Sequence, residues 1–306
     1  MAAAPEMGCC LKRALVFVAA CASLHAATYC VTVAGLGGEP DYEQRFAAWA
    51  KDIDKTMKAV GPDVKVESLY GADATKAKLQ AALDRVAKEA KPADAVVLMI
   101  IGHGTFDGTD YKINLPGPDA SATDLAGWLD RIPAQRQLVV NMTSASGASV
   151  HALQKPSRVV ITATKTGTEK NATVFARYWV DALRDASADT DKNEVISAFE
   201  AYKYAEQKTK QFYESQKRIA TEHPTLTDGD QPTAMNAARF SLLRLGSIQQ
   251  ASKDPAKQAL LAKREELEGS IEKLKAMKPV MPPEEYKKQL SALLLQLAQT
   301  QADLDK

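Results

Sequence analysis

The sequence predicts an α/β fold in which helices cover both faces of a mostly parallel sheet, followed by a C-terminal helical hairpin. Three observations predict it. Short apolar runs, such as AVVLMII at 95–101, alternate with stretches of helical periodicity. Those runs are continuously apolar, as in strands buried on both faces. In the last fifty or so residues the strand pattern is gone, and leucines recur at helical spacing. With 306 residues, 45% hydrophobic, the chain can bury the core of one or two globular units.

The first residues read differently from the rest. Lys12 and Arg13 precede an apolar run of small residues from Ala14 to Ala22, and Ala26 and Ala27 follow as cleavage-site residues. A basic patch, a short apolar stretch and a small-residue end make a signal peptide over 1–27, so the chain is expected to be exported, periplasmic or secreted. Val18-Ala19-Ala20-Cys21 offers a lipoprotein alternative in which Cys21 would be acylated. Of the four cysteines, Cys9, Cys10 and Cys21 fall in this segment. Cys30 is then alone in a strand, with no partner for an intramolecular disulfide.

Strands are predicted at 29–34, 64–69, 95–101, 137–141 and 158–163, with helices at about 42–59, 74–89, 122–131 and 146–153. After Ala163 no further strand is expected, only helices at about 171–184, 197–221 and 233–247. The α/β domain is placed at 28–250 and the hairpin at 251–306. In the hairpin Leu260, Leu261, Leu267, Ile271 and Leu274 form one apolar stripe, and Tyr286, Leu290, Leu293, Leu294 and Leu297 a second. Pro279, Pro282 and Pro283 separate them, with a proline opening the second helix, where a missing N–H costs little. Such a coiled-coil-like hairpin would pack on the α/β domain or on a second copy of itself. A net charge of +1 gives no electrostatic case for nucleic acid or an anionic membrane surface, and no late segment is apolar enough to span a bilayer.

In a parallel sheet, ligands gather at the carboxyl ends of the strands. Gly35-Leu36-Gly37-Gly38 ends the first strand, but Glu39, Pro40 and Asp41 follow where phosphate would dock. Asp41 is read instead as the N-cap of the next helix. The third strand ends in Gly102-His103-Gly104 and the fourth in the hydroxyl-rich turn Met142-Thr143-Ser144-Ala145-Ser146-Gly147. Adjacent strand ends would bring a base, a hydroxyl and backbone N–H donors together, the parts of an acyl-transfer site.

These two segments resemble the caspase/legumain peptidase clan. Ile100-Ile101-Gly102-His103-Gly104 is similar to its His-Gly element, and Ser144-Ala145-Ser146-Gly147 to its Cys-x-Ser-Gly element, with serine in place of the nucleophilic cysteine. Residues 159–164 and the turn Lys165-Thr166-Gly167 resemble the segment that follows. The similarity runs from about Tyr29 to Thr221. It implies a caspase-like three-layer α/β/α sandwich, with His103 as base and the N–H groups of Gly104 and Ser144 as oxyanion hole. A cleft lined by Thr143, Ser146, Gly147, Thr164 and Lys165 would hold a protein or peptide. No cofactor is needed for that chemistry. A serine hydroxyl, unlike a thiol, needs a base that is itself oriented by a third group, and no carboxylate is obviously placed to orient His103. Met142 also stands where many clan members carry an acidic residue. The chain is therefore read as a peptidase-type hydrolase that is weak or inactive, with a non-catalytic peptide-binding or scaffold pseudoenzyme, assembling through the hairpin, as the alternative. Whether His103 and Ser144 lie within hydrogen-bond reach separates the two.

A second motif is independent of the first. Asp189, Asp191 and Asn193, the Val195 carbonyl and Glu200 have the spacing of an EF-hand Ca²⁺ loop, although Glu194 replaces its glycine. Ser197 and Glu200 equally spell a capping box. Glu222-His223 and Asp228-Gly229-Asp230 read as a surface turn, His151 has no partner at metal spacing, and Phe199, Tyr202 and Phe212 are expected to pack in the core.

Overall fold

The computed structural model describes residues 26–229, 234–252 and 254–306. The expected signal peptide, Cys21 included, lies outside the described residues except for Ala26 and Ala27. The strands are β1 Thr28–Ala34, β2 Val64–Leu69, β3 Ala95–Ile101, β4 Gly104–Phe106, β5 Tyr111–Ile113, β6 Ala120–Ser121, β7 Arg136–Asn141, β8 Arg158–Thr162, β9 Val195–Ser197, β10 Thr225–Asp228 and β11 Ser241–Arg244. The helices are α1 Pro40–Val60, α2 Lys76–Glu89, α3 Ala122–Asp130, α4 Val150–Leu153, α5 Phe175–Ala182, α6 Ala198–Ser215, α7 Met235–Ala238, α8 Gly246–Ala251, α9 Pro255–Met277 and α10 Pro283–Leu304.

Six strands form the central sheet in the order β10-β8-β7-β3-β1-β2. All neighbours are parallel except the edge strand β10, which runs antiparallel to β8. Side chains alternate across the sheet. On β3, Val97, Met99 and Ile101 face one core with Phe46 and Ile53 of α1 and Phe175 and Trp179 of α5. Val96, Leu98 and Ile100 face a second core with Leu79 and Leu83 of α2 and Leu125 of α3. This is a three-layer α/β/α arrangement, and every residue of β3 is buried. Each fully buried aliphatic side chain contributes about 1.5–3 kcal/mol of transfer free energy, so β3 anchors both cores.

The five expected parallel strands are present, but the chain does not stop making strands at Ala163. β10 is four residues long and takes an edge, and β9 with β11 makes a separate two-stranded sheet. The 233–247 stretch, expected as one helix, is α7, then β11, then α8. Ser-Leu-Leu-Arg has no β-branched residue, and only pairing with β9 makes it a strand. α6 ends at Ser215, six residues short of its expected end. Lys217 adopts φ 51°, and the N–H groups of Lys217 and Arg218 bond the carbonyls of Glu214 and Tyr213, a Schellman closure. The expected helix at 146–153 is a 3₁₀ turn over Ser146–Ser149 leading into α4. Asp41 is not an N-cap: α1 opens at Pro40 after Glu39, and Asp41 lies in its first turn.

The hairpin packs on the α/β part through α9. Leu261 joins Val195, Ile248 and Leu304 in a small core. Arg264 donates to the Asn193 carbonyl (2.6 Å), and Arg244 pairs with Glu265 (2.6 Å). α10 lies on α9 and leaves Leu294 and Leu295 exposed. Where β1 begins, a cavity of about 440 Å³ lies between Ala26, Thr28 and Val64 on one side and Leu261, Ala262 and Glu265 on the other. Among the described residues no helix is long and apolar enough to cross a membrane.

One buried guanidinium stitches the lower half of the sheet. Arg158, 2% exposed, donates to the Gln137 side chain (2.9 Å), the Leu153 carbonyl (2.7 Å) and Asp130 (2.9 Å). Arg158→Ala strips the Gln137 and Leu153 oxygens of this donor, leaves Asp130 only Lys155, and is expected to cost about 3 kcal/mol in urea unfolding. Arg158→Lys recovers only part of that, because one ammonium cannot span three acceptors.

Candidate functional site

β3 and β7 are neighbours in register, Ile100 opposite Asn141, so the segments that follow them emerge side by side. The Met142 N–H donates to the Ile100 carbonyl (2.8 Å) and locks the two together. Ser144 meets Gly104 at this point. Its Oγ accepts the Gly104 N–H (3.1 Å) and donates to the Gly104 carbonyl (3.1 Å). A Cβ on Gly104 would stand 2.5 Å from the Ser144 carbonyl oxygen, so only glycine lets the strands approach this closely. Ser144 is 2% exposed. Ala145, next along, adopts the left-handed conformation (φ 55°), and its N–H is held by the Glu169 carbonyl (2.8 Å).

His103 points elsewhere. Its half-buried ring stands edge-on to Tyr42 (centroids 4.8 Å apart) and Phe46 (5.2 Å), both on α1. Burial lowers its pKa, while the Gly37 backbone and the charges of Glu39 and Glu43 act in the opposite direction. The hydrogen bonds of the Ser144 hydroxyl go to Gly104, not to His103. The expected base and nucleophile therefore occupy adjoining loops without a hydrogen bond between them. Two rings hold the imidazole over α1, and one glycine satisfies the hydroxyl in both directions. The Gly104 N–H, expected to face an oxyanion, is engaged by Ser144 itself.

The residues expected to line a cleft form a buried net instead. Thr143, Ser146 and Thr164 have no exposed surface. Thr143 bonds Tyr111 and Asn141. Ser146 bonds Thr164 (3.1 Å), whose Oγ1 also accepts the Gly147 N–H (2.9 Å). After β7 and β8 these hydroxyls are satisfied within the protein, Thr143 by Tyr111 and Asn141 and Ser146 by Thr164, and this pairing lets them be buried. Lys165 alone of the five is exposed, and Gly147 is half-buried beneath it. Cys30 is fully buried, its thiol pushed up to about 12 by desolvation, and is inert.

No protein-family model matches the sequence, and no curated protein matches it. Among solved structures the chain is similar to a protein from Geobacter sulfurreducens (TM-score 0.48, 13% identity, covering 72% of this chain and 99% of that one). It is similar to the Drosophila initiator caspase Dronc (TM-score 0.44, 9% identity, 66% and 79% covered). Caspase-1 from Spodoptera frugiperda is a third (TM-score 0.45, 11% identity, 68% and 92% covered). At these scores the likeness carries no conclusion about activity.

The acidic loop before α6 brings its carboxylates together. Oxygen atoms of Asp189, Asp191 and Glu200 lie within 4.8 Å of one another. Burial and the charge of Glu200 raise the Asp191 pKa. Glu194, in the place of the EF-hand glycine, takes the left-handed conformation all the same (φ 61°). Its carboxylate is tied to the Ser247 hydroxyl (2.6 Å) and the Ile248 N–H (3.1 Å). The Asn193 side-chain oxygen accepts the Val195 N–H (2.8 Å), and Glu200 also closes the capping box with Ser197. Three clustered carboxylates are the hard oxygen donors that Ca²⁺ takes. His151 is exposed on α4.

The supposed surface turn at Glu222 is not at the surface. Glu222 is 2% exposed and accepts the Val174 N–H (2.7 Å), the Phe175 N–H (3.2 Å) and the Tyr213 hydroxyl (3.0 Å). Burial pushes its pKa up to about 7. Next to it His223 Nδ1 bonds Glu169, whose other oxygen accepts the Lys165 N–H (2.7 Å). A folded pKa above the ordinary 4.5 means that folded Glu222 keeps a proton that the unfolded chain has lost. Its contribution to stability is complete below about 4.5 and is lost as pH rises to about 7. The stability of wild type minus that of Glu222→Gln, from urea melts, is expected to fall across that window and be level above it. A flat difference contradicts the reading.

Proposed function

We propose that this chain is a caspase-like domain with its peptidase chemistry switched off, acting by binding a protein or peptide. The observation that carries the reading is the closed hydrogen-bond pair between the Ser144 hydroxyl and the Gly104 backbone. Acyl transfer needs a hydroxyl that gives its proton to a base and an N–H free to receive the oxyanion. Here the hydroxyl proton goes to a carbonyl, the N–H goes to the hydroxyl, and the imidazole is held by aromatic rings. The Ile101-Gly102-His103-Gly104 and Ser144-Ala145-Ser146-Gly147 elements at neighbouring parallel strand ends support the caspase-like part. Exposed Leu36 and Lys165 on the same strand-end rim offer an apolar and a charged contact for a partner. The basic and apolar N-terminal segment supports export, by cleavage or by lipidation at Cys21.

A fluorophosphonate serine probe tests this on purified protein. Wild type, Ser144→Ala and His103→Ala are expected to remain unlabelled alike. Labelling of wild type that disappears in both variants would establish a serine hydrolase and overturn the proposal.

A second reading concerns the acidic loop, supported by its clustered carboxylates and the left-handed Glu194. We propose that Asp189, Asp191 and Glu200, with Asn193 and the Val195 carbonyl, bind Ca²⁺. At a hundredfold excess over Kd, binding is worth about 2.7 kcal/mol. Millimolar Ca²⁺ is therefore expected to raise the melting temperature of wild type by several degrees and leave Asp189→Asn unchanged. An equal rise in both, or none in either, removes the site.

A further inference from the structure

We propose that the cleft between α6 and the 218–224 segment binds a small amphipathic monocarboxylate. The cleft holds about 750 Å³, within the roughly 300–1,000 Å³ of small-molecule sites. It lies beside the start of β10, includes neither Ser144 nor any of the acidic-loop carboxylates, and is independent of both readings above. The Tyr213 ring, Ala220 and Pro224 supply its apolar wall. Thr209 lines it too, 1% exposed, with a hydroxyl that has no partner among the described residues.

Charge decides the head group. Lys203 is paired with Glu206, and Lys210 with Glu214 (3.8 Å). Glu222 is satisfied by two backbone N–H groups and the Tyr213 hydroxyl, and Glu169 by His223. Arg218 lines the cleft and has no carboxylate partner among the described residues. It is close enough to Tyr213 to act on its hydroxyl electrostatically. The cleft thus has one uncompensated cation over an apolar wall. A planar guanidinium takes a carboxylate through two parallel N–H···O bonds, which its paired lysine neighbours do not offer. With the lysines paired to Glu206 and Glu214, Arg218 offers one positive charge, so a single negative charge matches it. The ligand's apolar body replaces water against Tyr213, Ala220 and Pro224.

Isothermal titration calorimetry with dodecanoate tests the site on the full chain, with dodecanol and dodecyltrimethylammonium as matched tails. Dodecanoate is expected to bind one to one. Arg218→Ala should weaken it about tenfold or more, since a charge-assisted bond is removed. Ala220→Trp, which fills the cleft, should abolish binding while the melting temperature shows a folded protein. The alcohol should bind more weakly than the acid and the cation not at all. No heat with dodecanoate, equal binding of all three tails, or unchanged affinity in Arg218→Ala overturns the proposal. Should a peptide with a free C-terminal carboxylate compete fully with dodecanoate and bind more tightly, the small-molecule assignment fails in favour of a peptide.

Discussion

The parallel pairing of β3 with β7 is the contact on which the rest of the molecule depends. Six residue pairs, from Ala95 opposite Arg136 to Ile100 opposite Asn141, fix one register. That register brings the Met142 N–H to the Ile100 carbonyl and lays Gly104 against Ser144. A slip of one residue would turn every β3 side chain into the wrong core and part the glycine from the serine. The two cores above and below the sheet therefore hold the strand ends in place, and the geometry around Ser144 is a by-product of packing several residues away.

The same register explains how the Ser144 hydroxyl is satisfied. A hydroxyl buried at a strand end must find both a donor and an acceptor, and the Gly104 backbone offers the two within one residue. His103, on the same short segment, cannot reach back across that glycine while Tyr42 and Phe46 hold its ring. Glycine at 104 permits the close approach that the resemblance leads one to expect of an active site. Here the same approach satisfies the hydroxyl internally.

The parallel sheet was legible because β3 is apolar without interruption and β1, β7 and β8 have apolar, β-branched centres, and because α1 and α2 carry clean helical spacing. β9, β10 and β11 were not, since each is four residues or fewer and owes its extended form to a partner far away in the chain. The juxtaposition of His103 and Ser144 segments was readable from strand order. The direction of the His103 ring was not, because it depends on α1 side chains some sixty residues earlier. Glu222 was missed for a related reason. Glu-His-Pro looks like a solvated turn, and only the arrival of the N-terminus of α5 from 174–175 and of Tyr213 from α6 turns it into a buried acid. No local pattern signals such a meeting.

β1 starts at the end of the sheet opposite Ser144, and its seven residues carry the chain about 20 Å before the strand-end rim is reached. The cavity beneath Thr28 shows that the hairpin occupies that same far end. Ala26 and the hairpin thus make a base, with the Leu36 and Lys165 rim as the opposite pole. A partner that covered the hairpin end would therefore leave the Leu36 and Lys165 rim, one strand length away, uncovered.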